Sequence, residues 1–391
     1  MARFRIGPGI LITAAFIGPG TLTACSLAGV GFGLSLLWAL LLSLVLTGFL
    51  QTLVARLSWE TGQGLVELVH SHTPSMGLRN ILLGWIVWAI FMGNAAYEAG
   101  NVSGALLGLT PFFPAEFLAT GLYKTLSLSG VGLGLAIVLW FGKPRWIKNL
   151  LFAVVLLMSL SFVITAFWVR PSMEALLSGL FYPIIPEDSL WTMLALVGTT
   201  IVPYNLFLHA ALVKKRATFS SLAALKKDTL ISIVLGGCIS LSIVIAASAV
   251  GNRELRTAAD LGQALVPLYG EVAQYLIGFG LFAAGFSSAL TAPLAAGFVV
   301  QETLGWSSVS RKTKGVALGV LGFGLASLSL ELPPTQLIQW AQIANALLLP
   351  FIALFLLYLV RKTKGTWILR FLLGGIFLVF VGLAFKTLTQ L

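Results

Sequence analysis

The sequence predicts an all-α, polytopic membrane protein of eleven transmembrane helices, and three observations carry that expectation. First, the 391 residues are 58% hydrophobic and only 9% charged, with a mean hydropathy of +0.98, whereas soluble chains are about a quarter charged. Second, the apolar residues come in runs of about 20, long enough to cross a bilayer core about 30 Å thick and too long for barrel strands of about 10 residues. Lipid offers no partner to a backbone N–H or C=O, so such runs must close their own hydrogen bonds as helices. Third, the 24 Lys and Arg gather at the ends of the runs.

Taken in order, span 1 (8–31) has no cleavage site and leads straight into span 2 (34–57), so it is not a removable leader. Span 3 (80–107) follows Arg79 and carries one deep acid, Glu98. Lys143 and Arg145 separate span 4 (121–141) from span 5 (147–169), with Lys148 at the latter's start. Span 6 (190–213) ends at Lys214, and span 7 (228–250) follows Lys226 and Lys227. Span 8 (270–302) and span 9 (315–330) are divided by Arg311, Lys312 and Lys314; span 10 (335–360) and span 11 (366–389) are divided by Arg361, Lys362 and Lys364. The intervening stretches 58–79, 170–189 and 251–269 read as loops, with one surface helix at Thr257–Leu268.

With the N-terminus in the cytoplasm, nineteen of the 24 basic residues lie inside and five outside (Lys124, Arg170, Arg253, Arg256 and Lys386). One added or lost span would reverse every later loop, so the positive-inside rule supports the whole map. The map gives a multi-pass protein of the cell (inner) membrane with its C-terminus outside. The net charge of +11 is thinly spread over short loops; it reports topology and excludes a nucleic-acid surface. Cys25 and Cys238 both sit in apolar runs, against a disulfide framework or a zinc site. No nucleotide-binding loop or second domain is present to couple ATP hydrolysis to movement. Nor do paired acids, a metal-ligand cluster or a nucleophile–base pair suggest an enzyme, and nothing requires more than a monomer.

Two spans are interrupted. Span 1 reads Thr13-Ala-Ala-Phe-Ile-Gly18-Pro19-Gly20-Thr21, and span 6 reads Val197-Gly198-Thr199-Thr200-Ile-Val202-Pro203-Tyr204-Asn205. Proline removes an amide donor and glycine holds a helix poorly. Paired breaks at corresponding positions of two halves point to an inverted-repeat secondary transporter with its site at mid-bilayer. The halves are residues 1–170 and 171–361, with 362–391 as an additional helix.

The chain resembles the Nramp (natural-resistance-associated macrophage protein) family. The resemblance is carried by Pro-Tyr-Asn-Leu-Phe-Leu-His-Ala-Ala-Leu-Val (203–213), Ala-Ala-Gly-Phe-Ser-Ser-Ala-Leu-Thr (283–291), and Gln342 with Leu349-Pro350-Phe351. It implies the leucine-transporter fold, a 5+5 inverted repeat plus one helix with helices 1 and 6 broken, and a family that mostly carries divalent transition metals with protons. Yet the family's metal-binding Asp-Pro-Gly-Asn motif is here Gly18, Pro19, Gly20 and Thr21, and its Met-Pro-His is Val202, Pro203 and Tyr204. The family's span-3 carboxylate pair is halved to Glu98, with Ala95 at the partner position. A dehydrated divalent cation in a low-dielectric site needs anionic ligands, and these have gone.

What remains suits the opposite charge. The second halves of the broken helices begin near Gly20–Thr23 and Tyr204–Leu206, and a helix start acts as a partial positive charge with free donors. Gly18, Gly20, Thr21, Thr199, Thr200, Tyr204, Asn205, Gln342 and Asn345 form the expected substrate set for a small planar oxyanion. An inside-negative potential opposes anion uptake by about 2.3 kcal/mol per charge per 100 mV, so a cation must accompany it. Ser287, Ser288 and Thr291 resemble the hydroxyl ligands of sodium-coupled relatives of this fold, acting with carbonyls around Ala14, Ala15 and Ile17. The pattern of lost ligands is similar to a divergent, Nramp-related branch associated with sodium-coupled bicarbonate uptake. The resemblance gives His209 an inward-pathway role, Glu98 a coupling or gating role, and Phe286 the part of drying the cavity. The expectation is therefore a Na⁺-coupled transporter of bicarbonate or a similar small anion, with no cofactor and no transition-metal site. The alternatives are a Mg²⁺ or Mn²⁺ transporter with a rebuilt site, and an anion channel or transport-dead sensor.

Overall fold

The computed structural model describes residues 17–113, 121–142, 145–214, 219, 221–251, 254–306, 310–330, 332–363 and 365–389. Within them every regular element is a helix. The spans are α1 (Pro19–Phe32), α2 (Leu37–Thr61), α4 (Met76–Leu109), α5 (Gly121–Phe141), α6 (Arg145–Val169), the pair α8 (Leu190–Thr200) and α9 (Pro203–Val213), α10 (Leu222–Ser248), α13 (Ala273–Leu304), α14 (Arg311–Ala326), α15 (Pro334–Lys362) and α16 (Trp367–Leu388). Shorter helices α3 (Leu65–His72), α7 (Met173–Phe181), α11 (Ala258–Gly262) and α12 (Val266–Tyr269) lie between them.

Two of these short helices occupy stretches expected to be loops. Ser172 caps α7 by accepting from the Ala175 amide at 3.2 Å, and the Glu67 carboxylate takes the Gly64 amide at 2.8 Å at the start of α3. Both are local starts that a hydropathy reading passes over. The surface helix expected at 257–268 is instead α11 and α12 joined by a 3-10 turn, because Pro267 cannot donate to the preceding turn. Spans 3 and 7 begin earlier than expected, at Met76 and Leu222, since Ser75 and Ser221 cap them beyond the apolar run.

The long α4 packs along α13 and α15, α1 lies against α10, α8 and α15, and α9 lies against α2. These contacts bury two large apolar clusters, one built around α9 and the end of α8, the other around α1 and the start of α8. The bundle's outer faces carry the opposite pattern: Trp85, Trp88, Trp367, Phe371 and Phe385 are exposed, as lipid-facing aromatic residues are.

Candidate functional site

The interruption in span 6 falls at Ile201–Val202. α8 ends where Ile201 donates to the Val197 carbonyl at 3.0 Å, Val202 is extended (φ −90°, ψ 118°), and α9 restarts with Pro203 as its first residue. The described part of span 1 opens in the same way: Gly18 is extended (φ −125°, ψ −172°) and Pro19 is the first residue of α1. No side chain caps either start, whereas Ser75, Ser172, Ser221, Thr257 and Ser310 cap helices elsewhere. Two helix N-termini therefore reach the bundle interior with first-turn donors uncapped by side chains. The first half of span 1, with Ala14 and Ala15 of the expected sodium cage, lies outside the described residues; Ile17 is buried at their edge.

Gly198, expected to help break span 6, does something else. It is helical within α8, and a Cβ there would lie 1.8 Å from the backbone oxygen of Gln342 on α15. The same glutamine's amide lies against α1, where a Cβ on Gly20 would fall 2.3 Å from Nε2. Gln342 is thus wedged between the two broken spans, with Nε2 donating to Ile338 O at 3.3 Å and Oε1 without a partner among the described residues.

The expected substrate residues divide into two groups. Thr21 and Thr199 meet directly, Oγ1 to Oγ1 at 2.8 Å, joining α1 to α8. Gly18 faces Ser288 of α13 and Tyr97 of α4: a Cβ on Gly18 would lie 3.2 Å from Ser288 Oγ and 3.7 Å from Tyr97 Oη. The Tyr97 ring lies 5.8 Å from that of Tyr204. Both phenol oxygens and both side-chain polar atoms of Asn205 are buried with no partner among the described residues. Thr200 turns the other way: its hydroxyl bonds Ser43 of α2 and the carbonyl of Val197 at 3.1 Å. Asn345 faces α4 at Gly93.

Of the cation ligands expected on α13, Ser288 is brought to Gly18. Ser287 is half-buried, and its carbonyl accepts from Thr291 Oγ1 at 2.9 Å. Phe286 lies apart, packing on Phe282 at 5.6 Å and facing Gly134 of α5. Glu98 is wholly buried, with Oε2 accepting from Asn101 Nδ2 at 3.2 Å and its stem against α14, where a Cβ on Gly324 would lie 2.5 Å from Glu98 Cγ. His209 Nδ1 donates to Gln51 Oε1 of α2 at 2.9 Å. Sequence reasoning missed Tyr97, Ser43 and Gln51. An amide in the middle of an apolar span is the signal that marks Gln51, since such groups need a partner in lipid.

At the end of α9, Lys214 Nζ joins Glu67 of α3 at 2.9 Å and Glu302 of α13 at 2.7 Å. Burial pushes the Glu67 carboxyl up, but the Gly64 amide and Lys214 outweigh it and hold it below its ordinary value. Burial likewise lowers Lys214, and its two carboxylate partners overcome this and raise it. A lowered carboxyl contributes stability that is lost as pH falls through its folded value, and a raised amine contributes stability lost as pH rises through its own. The network is thus intact across neutral pH and fails first on acidification below the usual carboxylate range. Lys214→Met is expected to cost about 1 kcal/mol at pH 7 and to flatten the acid limb of a melting-temperature profile in detergent. An unchanged acid limb would rule the network out as its cause.

The sequence pattern of the natural resistance-associated macrophage protein-like family matches residues 9–390. The chain belongs to the Nramp family. A divalent metal cation transporter of Bacillus subtilis is 28% identical over 316 residues, 76% of this Nramp chain and 70% of that protein. That of Chromohalobacter salexigens is 27% identical over 309 residues, 75% and 69% of the two chains. Among solved structures, the Eremococcus coleocola manganese transporter in complex with an aromatic bis-isothiourea compound superposes with a TM-score of 0.74 at 19% identity, covering 98% of this chain and 86% of that one. A nucleobase-cation-symport-1 family transporter in a closed conformation gives a TM-score of 0.52 at 14% identity, covering 93% and 80%. The leucine-transporter fold expected from the sequence is the fold found.

Proposed function

We propose that this Nramp protein is a secondary transporter that carries a small planar oxyanion, bicarbonate first among them, together with Na⁺ by alternating access. One observation carries the reading: the place where the family's carboxylate would project is a bare glycine whose Cβ direction meets, among the described residues, two hydroxyls, Ser288 Oγ and Tyr97 Oη. Among the described residues no group of three or more His, Cys, Asp or Glu comes together, and the second break offers Val202 and Tyr204 where the family has sulfur and imidazole. Hydroxyls, amides and two uncapped helix starts bind an oxyanion by donating to it; they compensate a dehydrated divalent cation poorly. Residues 1–170 and 171–361 act as the two repeats, with the N-terminus inside, the C-terminus outside, and 362–391 as the added helix. Substrate sits between α1 and α9, near Gly18, Thr21, Tyr204 and Asn205. Sodium sits beside Ser288 Oγ, next to the Ile17–Gly18 backbone.

A second reading, transport of Mn²⁺ or Mg²⁺, is favoured by the names of the relatives, which are divalent metal and manganese transporters. Proteoliposomes separate the two. An inward sodium gradient is expected to drive bicarbonate-dependent internal alkalinisation with no Mn²⁺ influx; saturable Mn²⁺ or Mg²⁺ uptake without sodium-driven alkalinisation establishes the metal reading. Ser288→Ala is expected to raise the half-saturating sodium concentration about tenfold, the worth of one buried ligand, while Ser287→Ala leaves it within twofold. Equal sodium dependence in both variants removes Ser288 from the cation site.

A further inference from the structure

Away from the broken spans, α2, α10 and α16 enclose a groove of about 560 Å³ on the bundle's outer face. Its walls are apolar along their length: Leu41, Val45 and Phe49 on α2, Leu230 and Val234 on α10, and Leu369 on α16. Gly48 and Gly237 also line it, and Cys238 lines it as an exposed thiol. One end differs. Arg56 of α2 and Lys226 of α10 line it there, at the membrane boundary marked by the start of α10. Arg56 shares its charge with Glu60 at 2.7 Å, whereas Lys226 enters no salt bridge among the described residues.

From Leu41 to Arg56 the α2 wall runs about 22 Å at 1.5 Å per residue, more than the roughly 15 Å of hydrocarbon that one leaflet supplies. An acyl chain anchored at the basic end therefore fits wholly within the groove. A zwitterionic headgroup brings its own cation to compete with Lys226 for the phosphate, whereas a net-anionic headgroup leaves its phosphate charge to the two basic side chains. We propose that this groove is a binding site for one anionic phospholipid, its phosphate on Lys226 and Arg56 and one acyl chain laid between α2 and α10. The site is independent of the transported substrate.

The test is native mass spectrometry of the full-length protein in detergent, offered equal amounts of phosphatidylglycerol and phosphatidylcholine with identical acyl chains. Wild type is expected to retain one phosphatidylglycerol with about fivefold preference, the worth of one basic group beside an anionic headgroup. Lys226→Gln with Arg56→Gln is expected to abolish the preference while lipid is still retained. Cys238→Trp, which fills the groove from an exposed position without touching the basic end, is expected to remove the retained lipid altogether in a protein that stays monodisperse and helical. Equal retention of both lipids by wild type, or a preference that survives the double substitution, overturns the proposal. So does a protein dimer that Cys238→Trp dissociates, since the groove would then hold a second copy of the chain.

Discussion

Gly198→Ala is expected to destabilise the protein by about 3 kcal/mol or more. The added methyl would lie 1.8 Å from the Gln342 backbone oxygen and 3.1 Å from the Ala346 nitrogen, and neither belongs to a side chain that can turn aside. Alanine would gain about 1 kcal/mol over glycine from helix preference, but overpacking a close-packed contact costs about 1–3 kcal/mol, and more where backbone must move, so the clash wins. The measurement is thermal unfolding in detergent beside Gly48→Ala, where the new Cβ meets Leu230 at an ordinary 3.5 Å. The first variant should melt several degrees lower, the second at or above wild type. Equal melting would mean that α8 and α15 are free to separate.

The largest expected effect on transport is from Gly18→Asp. Its carboxylate would project among Ser288, Tyr97 and the incoming substrate. Two like charges about 5 Å apart at an effective dielectric near 20 repel by about 3 kcal/mol, roughly two orders of magnitude in affinity. Sodium-driven alkalinisation should fall by about that factor, with the melting temperature held within a few degrees because the new Cβ meets the Ser288 hydroxyl at 3.2 Å, and that hydroxyl can rotate aside. If the protein carries divalent metal, the same substitution supplies a missing ligand and raises Mn²⁺ uptake. The two readings thus predict opposite signs from one variant.

Much of this architecture is written in the apolar runs and in the residues that punctuate them. The positions of the spans follow from hydropathy because lipid leaves the backbone few alternatives, and the start of α1 and the cut in span 6 follow from Pro19 and Pro203. The function of Gly198 was not legible: glycine beside a helix break reads as part of the break, and only the crossing of α8 with α15 reveals a contact too close for any side chain. Thr199 and Thr200 look equivalent in sequence, yet the 100° between successive helical residues sends one to Thr21 and the other to Ser43. Tyr97 was hidden by its neighbour, since the acid at position 98 draws attention that belongs to the phenol facing Gly18. Phe286 and Ser288 show the same effect on α13: two residues apart, one looks towards α5 and the other to the first break.

The α2 helix has a mechanical consequence. It is continuous past the point where span 6 is cut, and it grips both pieces, Ser43 holding Thr200 and Gln51 holding His209. These grips lie eight residues apart, about 12 Å along a stiff rod. A swing of α9 relative to α8 would release one grip while the other persists, so α2 would divide such a motion into separate small steps. Each release forfeits about 1 kcal/mol, little enough for thermal agitation to supply and enough to keep the two pieces from drifting independently.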